Sequence, residues 1–196
     1  KSALSLLQKS DPILASRYRL KRAIMEIGPS GHPFEQYIAT ILTHHGYETQ
    51  YRQIVSGECI NHEVDVIAIK GGRHMMLECK YHNRVGTKTD VGVALYSYAR
   101  FLDVKETWQK REKKKHKVHE AWIATNTKVT NEAIKYCRCV GMGFLSWNLP
   151  RERNLRDMIE EKKLYPITIL PSLNNSQAQT LLAQGIILAI DVLDKK

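Results

Sequence analysis

The sequence predicts an α/β fold in which helices flank a mixed central β-sheet, with helical extensions before and after it. Three observations carry that prediction. His62 to Lys80, HEVDVIAIKGGRHMMLECK, alternates apolar and polar residues on either side of Gly71-Gly72, and those glycines supply the positive φ angles of a two-residue hairpin turn. After the hairpin the patterning reads helix, strand, helix, strand, and such crossovers add parallel strands to an antiparallel pair. Gly28-Pro29-Ser30-Gly31 and Pro150 punctuate the chain, dividing it into an N-terminal extension over 1–27, a core over 28–150 and a C-terminal extension over 151–196.

Taken in order, Lys1 to Ile27 reads as helical, with Leu4, Leu7, Tyr18, Ala23 and Ile24 available for packing, and Arg17, Arg19, Lys21 and Arg22 make it basic. Pro33 suits the first turn of the next helix, FEQYIATILTHHG, whose stripe is Phe34, Ile38, Ile41 and Leu42 and whose cap is Gly46. Glu35 lies on the shoulder of that stripe. A carboxylate there needs a partner, either the acidic cluster described below or a backbone amide at the helix start. Tyr47 to Ile54 is the first strand. Beyond Lys80, a helix is expected from Asp90 to about Leu102, on the period of Val91, Ala94, Leu95, Tyr98 and Leu102. The tract Lys110 to Lys117, KREKKKHK, is basic without aromatics and fits a solvated loop or a nucleic-acid contact equally well. His119 to Thr125 is a strand, Asn131 to Val140 a helix capped by Gly141, and Met142 to Trp147 a further strand. Leu155 to Leu164 is an amphipathic helix and Pro166 to Leu170 a short extended segment. From Ser172 two short helices meet near Gly185, with Leu181, Leu182, Ile186, Ile190 and Leu193 packed between them.

The hairpin also places chemistry. With Gly71-Gly72 as the loop, Lys70 lies opposite Arg73, Asp65 opposite Glu78 and Glu63 opposite Lys80. Alternation puts Val64, Val66, Ala68, Met75, Leu77 and Cys79 on an apolar face and gathers Glu63, Asp65, Glu78 and Lys80 on the other. Opposed side chains sit about 4.5–5.5 Å apart at Cβ, and like charges so placed destabilise, so a cation belongs between Asp65 and Glu78. All-oxygen ligands suit a hard divalent ion such as Mg²⁺, held by one or two carboxylates with water and substrate phosphate completing its shell. Lys80 can then orient or help deprotonate an attacking water and offset charge developing on a phosphate. The plainer alternative is a solvated hairpin face with a Glu63–Lys80 pair. Tyr81, His82, Arg84 and Lys88 follow the cluster and could contact phosphates, though a surface loop carries similar residues.

Charge agrees with a polyanionic partner. The net charge is +10, from 30 Lys and Arg against 20 Asp and Glu, which favours nucleic acid or an anionic membrane surface. No apolar run approaches the roughly 20 residues that span a bilayer, and no signal-peptide pattern opens the chain. The 4 cysteines include no CxxC pair and read as free thiols of a cytoplasmic protein. The absence of an initiator Met predicts a start inside a longer protein or after processing.

The order Glu35, then Asp65 in HEVDV, then Glu78-Cys79-Lys80 resembles the PD-(D/E)xK nuclease superfamily, and its surroundings resemble the Mrr-like restriction endonuclease branch. The match rests on GxxFE at Gly31 to Glu35 with the following LTHHGY, the VD-hairpin-ECK core, the strand ending at Thr125 and Asn126 before an NEA helix, and the strand MGFLSW. It covers Gly28 to Asn148. The resemblance implies a restriction-endonuclease-like core, Mg²⁺ or Mn²⁺ on Asp65 and Glu78, Lys80 in hydrolysis, the helix carboxylate Glu35 recruited as well, and DNA phosphodiester bonds as substrate, in restriction or defence. The chain departs from the family pattern in having Val64 where the superfamily name has Pro, and Glu78 where many Mrr-like members have Gln. SRYRLKRAI is similar to the closing helix of an ATP-cone, and LLAQGIILAIDVL is loosely similar to helix–hairpin–helix modules without their GxG turn. One site cuts one strand, so double-strand cleavage calls for a homodimer. A non-cleaving DNA-binding domain on the same fold is the alternative, and RNA remains open as a substrate.

Overall fold

The computed structural model describes residues 10–111 and 118–192. Helix α1 (Pro12–Met25) starts where the Asp11 carboxylate accepts the Leu14 N–H at 2.9 Å. Helix α2 (His32–His44) begins with Pro33 in its first turn, and Gly46 takes the positive φ of 80° that ends it. Its stripe is wholly buried at Phe34, Tyr37, Ile38 and Ile41. Strands β1 (Glu48–Ser56), β2 (Asn61–Lys70) and β3 (Arg73–Lys80) follow, then a two-residue strand β4 (Lys88–Thr89). Helix α3 (Val91–Arg111) leads to β5 (Val118–Thr125) and the short β6 (Lys128–Val129). Helix α4 (Asn131–Val140), capped by the Thr130 hydroxyl and by left-handed Gly141, leads to β7 (Gly143–Leu145). Helix α5 (Leu155–Lys162), opened by an Asn154–Asp157 capping box, and α6 (Asn175–Ala183) complete the helices, with single 3₁₀ turns at Ile167–Ile169 and Ala189–Val192.

The sheet is mixed, in the order β1-β2-β3-β5-β7. Its first three strands are antiparallel, while β5 and β7 join in parallel through the α3 and α4 crossovers; β4 and β6 form a separate parallel pair. Helix layers cover both faces. On one side α1, α2, α5 and the C-terminal turns pack on Val66, Ala68, Met75, Leu77 and Cys79. On the other, α3 and α4 pack on Val64, Ile67, Met76, Ala121 and Ile123. This corrects two expectations about the hairpin. Its second face is core too, because parallel neighbours bring helices onto both sides of a sheet, and Val64 packs under α3 rather than with Val66.

Three further expectations change. Helix α3 continues past Leu102 to Arg111, where Phe101 and Val104 keep its buried stripe. The Pro166 to Leu170 segment turns as 3₁₀ because the Ile167 N–H is spent on the Ile187 carbonyl and the Leu170 N–H closes back on Ile167. At the end of the chain Ile187 and Leu188 are buried while Ile190 is exposed. Leu4, Leu7, Leu193 and most of the KREKKKHK tract lie outside the described residues.

Residues on both sides of the boundaries expected at 28 and 150 share one core: Leu20 and Ile24 of α1, Phe34 and Ile38 of α2, and Leu155, Ile159 and Ile167 beyond Pro150. Polar bonds lock them. Buried Tyr37 donates to the Leu164 carbonyl at 2.8 Å, Thr168 to that of Ala23 at 2.6 Å, and Gln179 to that of Glu26 at 3.0 Å. Cys79 and Cys137 are buried, Cys59 and Cys139 exposed, and all four are free thiols. Among the described residues no helix is long and apolar enough to cross a membrane.

Candidate active site

The hairpin register runs as expected from Lys70 opposite Arg73 to Val66 opposite Leu77, and there it stops. Beyond that point β2 stays with β1, while β3 stays with β5 until Lys80 meets Thr125. The strands part at Asp65. Arg52, which would pair with Asp65 across β1, is missing from an otherwise continuous register and adopts a left-handed φ of 53°. Freed from both ladders, the Asp65 carboxylate turns toward β3 and accepts the Cys79 N–H at 2.7 Å.

Three carboxylates gather around this fork. Burial first, and then the Glu78 charge, push the Asp65 carboxyl up to about 7, against the opposing pull of the Cys79 N–H; Glu35 adds to the rise. Glu78 is raised as well, chiefly by burial, although Arg100 and Lys80 hold it down in part. The Arg100 guanidinium, from α3, donates to Glu78 at 2.5 Å and also to the Glu63 carbonyl. Glu35 sits at the start of α2, buried, with His32 Nδ1 3.4 Å from its carboxylate, and its field reaches Asp65, Glu78 and Cys79.

Lys80 is exposed at the end of β3, with its carbonyl held by the Thr125 hydroxyl at 2.7 Å. Glu63 is not brought to it. Because the strands part first, Glu63 faces Ile54 of β1, and its carboxylate lies 3.4 Å from Arg52. Tyr81 is half-buried, with its ring 5.7 Å from that of Phe34 and its hydroxyl donating to the Met25 carbonyl, so it ties α1 to the sheet. His82 is partly buried, and its ring meets the Thr89 hydroxyl at 3.1 Å. Arg84 is exposed on the loop that follows and Lys88 is exposed in the short strand β4.

Among the described residues no three His, Cys, Asp or Glu side chains converge closely enough to hold a metal ion by themselves. The donor set nonetheless fits Mg²⁺ or Mn²⁺. Such ions take one or two carboxylates and keep several waters, and Asp65 and Glu78 are two part-buried carboxylates whose proton affinity is raised chiefly by burial, with the Glu78 charge adding to the rise at Asp65 and Arg100 offsetting part of it at Glu78.

Arg100, Thr125 and Asn126 complete the surroundings. The reading of the sequence asked for a cation beside Glu78, and a guanidinium from twenty-two residues downstream supplies one; nothing local to the hairpin points to it. Asn126, wholly buried, accepts the His82 N–H at 2.9 Å and donates to the His82 carbonyl at 2.7 Å, extending the β3–β5 ladder with a side chain. In the sequence Asn126 counts only as part of the family pattern; a polar Asn directly after an apolar strand is the signal for this bonding role.

Residues 29–142 match the Mrr_cat restriction endonuclease family, and residues 165–196 match a family described as AF1548-like, C-terminal. An "Uncharacterized protein" of Archaeoglobus fulgidus is 39% identical over 156 residues, spanning 80% of this chain and 83% of the relative. The crystal structure of the protein of unknown function AF1548 superposes with a TM-score of 0.72 at 36% identity, over 84% of each chain. A repair endonuclease from Pyrococcus abyssi is a remote likeness, with a TM-score of 0.40 at 17% identity over 55% of this chain and 41% of that one.

Proposed function

The chain belongs to the Mrr_cat restriction endonuclease family, and from that premise we propose that it is a metal-dependent endonuclease that hydrolyses DNA phosphodiester bonds in restriction or defence. The observation that carries the reading is the fork at Asp65, which sets two carboxylates of raised proton affinity beside a solvent-facing lysine. Asp65 and Glu78 would hold Mg²⁺ or Mn²⁺, with Glu35 close enough to act on the same charge. When bound, the ion polarises the scissile phosphate and makes its coordinated water more acidic. Lys80, the terminal ammonium of β3, orients the attacking water and offsets negative charge as the phosphorus–oxygen bond breaks. Thr125 and Asn126 fix the backbone on either side of Tyr81, so the ammonium projects from a held strand end. The division into a nuclease core over 28–150 and supporting extensions belongs to this reading, as does a homodimer that sets two sites on opposite strands.

One observation favours the alternative of a non-cleaving DNA-binding domain: Glu78 already has a cation in Arg100. Supercoiled plasmid incubated with and without Mg²⁺ separates the two. Linear DNA appearing before nicked circles is the product of a paired enzyme, and nicked circles alone are the product of a single site. Intact plasmid at saturating protein and Mg²⁺ or Mn²⁺ would sink the nuclease reading.

A further inference from the structure

A cleft of about 690 Å³ opens between α1, the loop after β3 and the ends of β5 and β7. Its walls carry Tyr18, Lys21, Arg84, Lys88, Lys128 and Trp147. Glu26 is its one carboxylate among the described residues, and Glu26 is taken up by Arg22 at 2.8 Å. Among the described residues no carboxylate pairs with Arg84, Lys88 or Lys128. Lys21 reaches over the Trp147 ring, 4.6 Å from its centre, and donates to the Asn126 carbonyl. Val85, at the rim, is 91% exposed, an apolar tip that a base face would cover.

Four cations besides the Arg22 paired with Glu26, two aromatic rings and a largely apolar floor are the ingredients of a site for a phosphate with a base attached. Size argues against a duplex seated inside it: a cube of this volume is about 9 Å on a side, narrower than the major groove alone at about 12 Å. Position selects the source. Asn83 lies three residues past Lys80, at most about 10 Å along the chain. Successive nucleotides of a strand advance about 3.4 Å, so a strand cut at Lys80 and running on toward this loop would reach the cleft within about three nucleotides.

We infer that this basic cleft binds one unpaired nucleotide of the DNA strand lying across the site, stacking its base on Trp147 and Tyr18 and holding its phosphate with Lys21 and Lys128. The nuclease reading enters only in saying where the strand lies. The protein therefore distinguishes DNA with a free single-stranded end, or a nucleotide turned out of the helix, from fully paired duplex.

The test is binding in EDTA, by fluorescence anisotropy, so that a protein that never cuts can still pass it. The probes are a blunt duplex and the same duplex with an unpaired 5′ or 3′ overhang. At least one overhang should bind about tenfold more tightly than the blunt duplex, a typical gain for stacking one base. Trp147→Ala should remove that gain while leaving blunt-duplex affinity nearly unchanged. Trp147 also covers the core, so Lys128→Glu, on an exposed side chain, provides a second route to the same loss. Equal affinity for all the duplexes would overturn the inference. So would variants that weaken blunt and overhang DNA alike, which would mark the cleft as a general phosphate grip. A free deoxynucleoside monophosphate that displaces the overhang DNA as well as an unlabelled overhang does would make the occupant a small nucleotide, and would overturn it too.

Discussion

The acidic fork and the basic cleft stand at the same ends of β3 and β5, and each concentrates like charge of opposite sign. At the fork, burial and Glu78 push the Asp65 carboxyl up to about 7. In the cleft, burial and Lys128 bring the Lys21 ammonium down to about 8. Both shifts have the same physical origin: each side chain is held out of solvent and beside a like charge, so its charged form is disfavoured. A divalent cation would relieve the first and a phosphate the second, and a metal-bound phosphodiester would bring both. The two regions differ in how they are built. Asp65, Glu78 and Lys80 come from one hairpin, whereas the cleft draws on α1, the loop after β3, Lys128 and Trp147.

The largest effect that would break this comparison is on cleavage. Asp65→Asn and Glu78→Gln keep shape but remove the charges proposed to hold the metal. Metal polarisation supplies several kcal/mol, so each should lower the rate by about a thousandfold or more. Lys80→Ala should cost about 10²–10⁴-fold through loss of water orientation, with metal binding still measurable by calorimetry. Glu63→Gln is the control. It faces Arg52 rather than Lys80, so its rate should stay close to the parent's. A dead Glu63→Gln beside an active Lys80→Ala would mean that the roles drawn from the fork are reversed.

That contrast between Glu63 and Lys80 also marks what the sequence could say. The hairpin register from Lys70 to Val66 follows from the Gly71-Gly72 turn, since a two-residue loop leaves no freedom of pairing. Helices α2 and α4 were legible because their apolar period and their glycine stops agree. The end of the ladder was not. Strand separation at Asp65 depends on β5 claiming β3 and β1 claiming β2, and those partners lie far apart in sequence. Arg100 and the cleft were hidden for the same reason: burial and neighbours outside the hairpin decide which charges meet. The 3₁₀ turn at Ile167 likewise answers to Ile187, a tertiary partner.

A middle-sized effect tests the acidic region by itself. Asp65 binds its proton more tightly in the folded protein than the ordinary carboxylate value of 3.8 allows. Its protonated form therefore supports the fold fully below about pH 4, and that support is lost as pH rises through about 7. In EDTA, stability should fall between those limits, by an amount on the order of 2 kcal/mol once relaxation is allowed for. Asp65→Asn should flatten the decline and exceed the parent in stability at pH 8. Mg²⁺ should flatten it in the parent alone. Chemical denaturation at a series of pH values reads all three, and a parent whose EDTA profile is already flat would show that Asp65 carries no excess proton affinity.

The smallest effect belongs to the cleft, and its sign is opposite. Lys21 holds its proton less tightly when folded, about 8 against 10.5 for an ordinary lysine. Between those values the unfolded chain binds the extra proton, so stability should rise with pH there. Burial is the first cause and Lys128 only the second, so Lys128→Ala should leave most of the rise in place. The variant should gain a few tenths of a kcal/mol at neutral pH, where both ammoniums are charged and water screens their repulsion. The gain should shrink as pH passes 8, because a neutral Lys21 has nothing to repel. Urea midpoints of parent and variant at pH 7 and pH 9.5 measure the difference. If Lys128→Ala is instead less stable at neutral pH, Lys128 contributes through its packing rather than its charge, and the mirror symmetry between the two regions fails at the cleft.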